Sequence, residues 1–396
     1  MDPMTGDGEW SFLTSACSAG LLGKDARGID QSPIRWKSLL GRAETHGVLP
    51  LLYRFLSGVK DSIPRSELLA VEEKYQTNLL KAMFLSRELI RILDCFDSIR
   101  AEVLPYKGVA LAEGIYGDMA LRQAGDIDLL IRQQDLPRVR EELGRIGYKP
   151  NLQLSDIEER AYLKSGYECA FDGAAGRNLL EVQWAIQPRF YSVDYDMDDL
   201  FARAVTASVA GRPVKVPSAE DLFLILSVHA AKHVWERLIW LCDLVRIMNI
   251  PTLDWNWIAS EANRIGVARI LHVSLLLAER TLNAPIPAKA DRCLPPDPAA
   301  KRLTDEIQTY IIGNRRLSVE SVDYFRLMMR LRERRADRLR FFGRLAFTPG
   351  PSEWSTIHLP NSLFPLYRIV RLSRLASRFA GTRMNHSERP LTKTVA

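Results

Sequence analysis

The stretch from Leu104 to Arg132, LPYKGVALAEGIYGDMALRQAGDIDLLIR, sets two carboxylates one residue apart, Asp126 and Asp128. On a β-strand, residues i and i+2 point to the same face. Both acids would then stand together at the edge of a core anchored by Leu129-Leu130-Ile131. Two like charges so placed repel unless a cation lies between them. Two Mg2+ ions, or Mn2+ in their place, shared with a nucleoside triphosphate would supply that charge. A lysine or arginine head filling the gap would do so too, and would undo the metal reading.

Neighbouring residues extend the same chemistry. Lys107-Gly108 closes an apolar strand and opens a helix, a place where backbone N–H groups meet phosphate and Gly permits close approach. Arg122, four residues before Asp126, is in range of the same phosphates. Glu181, within Leu179-Leu180-Glu181-Val182-Gln183-Trp184, would face the pair if that segment is the adjacent strand. It would bind the catalytic metal and activate an attacking hydroxyl. Lys232, His233 and Arg237 are candidates to close over the site and contact phosphate or acceptor. His229 and His233 share a helix face at i, i+4, but the H-E-x-x-H glutamate of a zinc site is absent. Asp243 could orient one of these bases or pair with Arg246. The chain carries its own control: Asp194, Asp196, Asp198 and Asp199 repeat the same spacing with no apolar strand after them, which reads as a solvated loop feeding a helix N-terminus.

The elements that must position these groups follow from hydrophobic periodicity. Gln76 to Ile99 reads as a helix, Ile127–Ile131 as a strand, and Leu136–Ile146 as an amphipathic helix stopped by Gly147. Tyr167–Phe171, Leu179–Ile186 and Arg212–Pro217 are further strand candidates. From Ser218 onward helices dominate, with a linker at Pro285–Pro298 and a long arginine-rich helix at Ser318–Arg344. Phe347–Pro360 reads as a loop. A last helix, Leu363–Phe379, would dock through Ile369, Leu372, Leu375 and Phe379 with Arg368, Arg371, Arg374 and Arg378 outward. The expected class is α+β: a small mixed β-sheet core at 100–217, between an N-terminal helical region at 1–99 and a larger C-terminal helical region at 218–396.

Composition bounds the class. The 396 residues are 47% apolar and 26% charged, which excludes a disordered chain, collagen or a rod. Five scattered cysteines without a C-x-x-C pair argue against a disulfide framework or zinc ribbon and fit a reducing cytoplasm. The start, MDPMTGDGEW, is not a signal peptide, and no apolar run spans a membrane. The net charge of +6 is uneven: from Tyr324 to Arg383, thirteen arginines against three acids give +10. Arg326, Arg330, Arg334 and Arg338, spaced by four, form a stripe that could meet single-stranded nucleic acid such as RNA, but Glu333 and Asp337 interleave and favour a solvated face; the Arg368, Arg371, Arg374 and Arg378 face could instead lie on an anionic membrane surface.

The ordered series Lys107-Gly108, Tyr116, Arg122, Gly125-Asp126-Ile127-Asp128-Leu129-Leu130, Gly147-Tyr148 and Glu181-x-x-Trp184 resembles the poorly characterised bacterial nucleotidyltransferase family of the polymerase-β-like superfamily. The block from His229 through Lys232-His233, Trp235, Arg237-Leu238 and Trp240-Leu241 to Asp243 also resembles it, as does Phe347-Thr348-Pro349 with Trp354. The resemblance implies a mixed-sheet core and transfer of a nucleoside monophosphate from a triphosphate to a hydroxyl, with release of pyrophosphate. It implies metal ligation by Asp126 and Asp128, the third carboxylate at Glu181, and the phosphate-loop glycine at Gly108. The chain departs from the superfamily pattern after that glycine, where Val109 stands in place of Ser or Gly. The acceptor stays open between a small molecule, a peptide or a protein. Transfer to RNA or tRNA, and a catalytically silent nucleotide- or RNA-binding protein on the same scaffold, are the alternatives.

Overall fold

A computed structural model describes residues 8–23, 34–173, 176, 178–319 and 321–387. Residues 1–7 of the acidic start, and the side chains of Arg378 and Phe379, lie outside the described residues. The described chain forms two compact units. The first is drawn from 1–152, 168–186 and 195–315, the second from 153–167, 187–194 and 316–396. The fold is α+β.

In the first unit, helices α1 (Gly8–Leu22), α2 (Trp36–Thr45) and α3 (Leu49–Gly58) precede α4 (Arg65–Ser98). α4 begins right after Pro64, eleven residues before the periodicity alone would start it, and buries Leu85, Leu89, Ile92, Leu93 and Phe96. The five-stranded sheet comprises β1 (Val103–Pro105), β2 (Asp126–Ile131), β3 (Lys149–Pro150), β4 (Glu168–Asp172) and β5 (Leu179–Gln183), in the order β1-β2-β5-β4-β3. β2 pairs antiparallel with β1 and parallel with β5, with Asp128 opposite Glu181. β4 runs antiparallel to β5, with Glu168 opposite Gln183. Between β1 and β2 lies the short α5 (Gly108–Leu111), which continues into one π-helical turn, Ala112–Tyr116. α6 (Leu136–Arg145) stops where expected. Gly147 takes φ +93°, and the Tyr148 N–H returns to the Leu143 carbonyl at 2.9 Å.

α7 (Asp156–Ser165) belongs to the second unit; past β5 the first unit continues with α8 (Met197–Ala202), capped by the Asp196 side chain on the Asp198 and Asp199 N–H groups. The control cluster is thus a helix cap. β6 (Val205–Val209) and β7 (Arg212–Val216) form a separate hairpin, of which only the second strand was legible in the sequence. The helices α9 (Ala219–Lys232), α10 (Leu238–Met248), α11 (Trp255–Ile265) and α12 (Ala268–Leu282) pack around a mainly apolar core that also buries Asp221, Asp243 and Ser274. The proline-rich stretch after α12 is not only linker: it holds α13 (Ala288–Cys293), followed by α14 (Pro298–Ile312).

The second unit corrects three expectations. The long arginine-rich helix is broken into α15 (Val322–Arg330) and α16 (Arg335–Phe347). The chain turns between them to bury Arg332, whose guanidinium donates to the Tyr191 carbonyl, while Arg338 Nε donates to the Arg332 carbonyl at 2.8 Å. The expected loop contains α17 (Pro351–Trp354), and α18 (Tyr367–Ser387) is turned the other way from the amphipathic reading. Arg371 and Arg374 point inward to the buried Glu353 at 3.1 and 2.6 Å, while Ile369 and Leu372 are exposed. A buried carboxylate outcompetes two aliphatic side chains for that face, because an unpaired buried charge costs more than an exposed Leu. No helix among the described residues is long and apolar enough to cross a membrane.

Candidate active site

The site is built on one face of the five-stranded sheet. Alternation along β2 puts Asp126 and Asp128 on that face, and the registers with β5 and β4 add Glu181, Gln183 and Glu168. Four acids therefore share a small area, beside the one amide of Gln183. That amide is a connector: Gln183 Nε2 reaches Glu181 at 3.1 Å, Glu168 at 3.3 Å and Asp128 at 3.5 Å. Its oxygen accepts from the buried Tyr106 hydroxyl at 2.6 Å. Glu168, Gln183 and Tyr106 carried no sequence signal, because the pairing that assembles them is known only once the strand register is.

A lysine head is present. Lys107 Nζ bonds Asp128 Oδ1 at 3.1 Å, and both side chains are nearly enclosed. It does not bridge to Asp126, whose carboxylate has no hydrogen-bond or ion-pair partner among the described residues. Carboxylates thus outnumber the ammonium groups on this face, and the surplus shows in their proton affinities. Burial, then Asp128 and Glu168, push Glu181 up to about 8. Burial and Asp128 raise Asp126 as well. Burial disfavours the Lys107 charge, but the Asp128 carboxylate outweighs it and holds the proton more firmly than usual.

The loop before the acids is fixed sterically. Gly108 has φ +55°, and a Cβ there would lie 2.9 Å from the Asp126 carbonyl oxygen. No other residue lets this backbone pass so close to β2. The loop glycine and the first aspartate are therefore neighbours in space as well as in the motif.

Arg122 is placed differently from the expectation that it serves phosphates. Its guanidinium is buried and holds Asp243 through Nε at 2.9 and 3.1 Å and Nη2 at 3.0 Å. The Tyr116 hydroxyl donates to the same carboxylate at 2.8 Å. Asp243 does not pair with Arg246, which donates to the Ile115 carbonyl instead. Tyr116, Arg122 and Asp243 form a strut that ties α10 to the turn before β2.

α9 delivers the remaining candidates. Lys232 lies within electrostatic reach of Glu168, Glu181, Asp128 and Lys107, and burial lowers its proton affinity. His229 and His233 meet at 4.9 Å between ring centroids, tilted by 56°, each 5.3 Å from Trp240. Trp240 is thus a wall for the two imidazoles rather than a plain core residue. Burial, followed by the charges of Lys232, Lys107 and Arg237, holds His233 down to about 3. Burial and Lys107 depress His229 as well. Both rings are neutral at physiological pH. Beyond His233 the chain reverses through Val234 and Trp235, both with positive φ, and Trp235 is pinned by its Nε1–H on Ser274 Oγ at 3.1 Å. This reversal carries Arg237 to an exposed position on a cleft that also includes Gly125.

Among the described residues no three His, Cys, Asp or Glu side chains already form a metal cage. Asp126 and Asp128 on one face, with more negative charge around them than Lys107 offsets, nonetheless fit a hard divalent cation. Mg2+ characteristically takes one or two carboxylates and completes its shell with substrate phosphate and water.

A family model described as an uncharacterised nucleotidyltransferase matches residues 32–283. No curated protein matches the chain. Among solved structures, ANT(2")-Ia in complex with adenylyl-2"-tobramycin is 16% identical, covering 46% of this chain and 95% of that one at a TM-score of 0.34. An antigenic nucleotidyltransferase-like protein from Paracoccidioides brasiliensis is 15% identical, covering 53% of this chain and 95% of its own at 0.34.

Proposed function

This chain belongs to the uncharacterised nucleotidyltransferase family, and from that premise we propose that it transfers a nucleoside monophosphate from a nucleoside triphosphate to a hydroxyl acceptor, releasing pyrophosphate. The observation that carries the reading is the under-neutralised acidic face, where Asp126, Asp128, Glu181 and Glu168 outnumber the lysines near them, Lys107 and Lys232. A structural ion cluster would have its charges matched. Here the mismatch, in a stretch of sheet that a glycine loop approaches closely, suits a bound cation and phosphates.

Asp126 and Asp128 would hold Mg2+, which supplies positive charge to the triphosphate as the α-phosphorus is attacked. Lys107 sits where it can exchange its bond to Asp128 for a phosphate oxygen once a cation takes over that carboxylate. Glu181 stands beside Asp128, and its proton affinity near physiological pH suits it to receive the acceptor hydroxyl's proton. The new bond joins the acceptor oxygen to the α-phosphorus. The bond to the bridging oxygen breaks, and the electron pair leaves with pyrophosphate, stabilised by the basic groups around the site. Lys232 and the neutral His229 and His233 border the acidic face from α9, where acceptor or base would approach. Arg122 acts only at a distance, by holding the turn that leads into Asp126. The all-thiol cysteines are in keeping with a reducing cytoplasm.

The test is incubation of the protein with Mg2+, α-labelled triphosphates of all four bases and a small-molecule and protein extract. Label transferred to an acceptor, with pyrophosphate released in equal amount, supports the reading. Release of label as free monophosphate or of inorganic phosphate alone points to hydrolysis, and absence of any turnover argues for a silent scaffold.

A further inference from the structure

A polar cleft of about 550 Å³ lies within the first unit, along α4 and against the Gly125 corner that leads into Asp126. Its volume falls in the range of small-molecule sites. α4 presents Lys74, Asn78 and Lys81 to it, residues on one helical face at i, i+4 and i+7. The far end of the cleft is neutralised internally, since Lys74 bonds Glu44 at 2.5 Å, and Glu73 stands next to them. Lys81 lies two helical turns further on, about 10 Å along the axis. It has no partner among the described residues, and neither does Arg237 on the cleft wall. The cleft is thus polarised, with its unpaired cations toward the acidic face. Asn78 Nδ2 donates to the Ala120 carbonyl at 2.9 Å, which fastens this part of α4 to the turn before β2 and fixes where Lys81 stands.

A triphosphate brings several negative charges, and Lys107 can answer for one of them. We propose that this cleft is the seat of the donor's β- and γ-phosphates, held by Lys81 and Arg237, so that the leaving pyrophosphate departs along α4. The inference rests on the nucleotidyl-transfer reading and adds a cation 26 residues ahead of the motif. Lys81 sits in an ordinary helical stripe, so nothing in the local sequence sets it apart.

The test is calorimetric titration, in Mg2+, of wild-type protein and the Lys81→Ala/Arg237→Ala double variant with each nucleoside triphosphate, its monophosphate and inorganic pyrophosphate. Both side chains are exposed, and a matching melting temperature confirms an intact fold. The expected result is a loss of roughly tenfold or more in affinity for triphosphate and pyrophosphate, with monophosphate affinity kept. Lys81→Arg should retain triphosphate binding, and Lys74→Ala should leave it unchanged. Equal triphosphate binding by wild type and double variant would overturn this inference alone. So would an equal loss for monophosphate. Failure of the wild type to bind any triphosphate would overturn the donor reading and this inference with it.

Discussion

The acidic sheet face and the arginine-rich second unit are the two concentrations of like charge in this chain, and the structure treats them in opposite ways. In the second unit carboxylates are met by arginine: Arg344 holds Asp194 at 2.9 Å, Arg340 reaches Asp337 at 3.4 Å, and Arg371 and Arg374 share Glu353. On the sheet face, Asp126, Glu181 and Glu168 crowd around Asp128 with two lysines, Lys107 bonded to it and Lys232 within electrostatic reach. The lesson is that net charge along a sequence does not mark a site. Charge that the fold brings together and leaves unbalanced does, since burying it without a partner is costly and has to be offset by something that binds. The Arg122–Asp243 strut sharpens the point from inside the first unit: it is equally buried, but balanced, and it braces the site instead of serving it.

The comparison breaks first at the aspartates. Asp126→Asn or Asp128→Asn should lower nucleotidyl transfer by about 10³-fold or more, the several kcal/mol that a lost metal ligand removes from the transition state, while the far-ultraviolet circular dichroism spectrum stays native. Retained turnover would remove the metal assignment. Next comes the balanced pair: Arg122→Ala leaves Asp243 buried without its cation and should cost about 3–5 kcal/mol in urea unfolding. A change under about 1 kcal/mol would mean the strut is solvated. In the second unit, Glu353→Gln should destabilise by about 2 kcal/mol, since two inward-facing arginines lose their carboxylate, and transfer should be unaffected. On the unbalanced face the sign reverses. Without divalent cation, Glu181→Gln should raise the unfolding free energy by about 1 kcal/mol, as removal of a functional repulsion often does, and a drop in stability would show that the acids are structurally matched after all.

A pH dependence tests the α9 side of the site. His233 is held down to about 3 in the native state, against about 6.5 when unfolded. The unfolded chain therefore binds a proton that the native state refuses. Its contribution to stability is complete above about pH 6.5 and is lost as pH falls from there toward 3. His233→Gln should flatten that part of the stability profile, and an unchanged slope would place His233 in solvent.

How much of this was legible in the sequence depended on how local the signal was. The i, i+2 carboxylates followed by Leu129-Leu130-Ile131 and the glycine after Lys107 are local, and the strand and the loop form where the pattern says. The placing of Glu181 needed one guess, that its segment is the neighbour of β2, and the register bears that segment out as the paired strand. Arg122 was misjudged because its partner, Asp243, lies 121 residues away on α10. The continuous arginine-rich helix was misread for the same reason: a spacing of four holds only while the helix continues, and the helix stops after Arg330, where Arg332 turns in to the Tyr191 carbonyl. Lys81 and Gln183 were silent because only tertiary pairing distinguishes them from any other polar residue in a helix or strand.

The most direct test of the central claim is a Mn2+ titration followed by electron paramagnetic resonance, with a non-hydrolysable nucleoside triphosphate present. The account predicts tight, nucleotide-dependent uptake of Mn2+ by the wild type and its loss in the Asp126→Asn/Asp128→Asn double variant. Equal uptake by the two proteins, or none by the wild type, would contradict it.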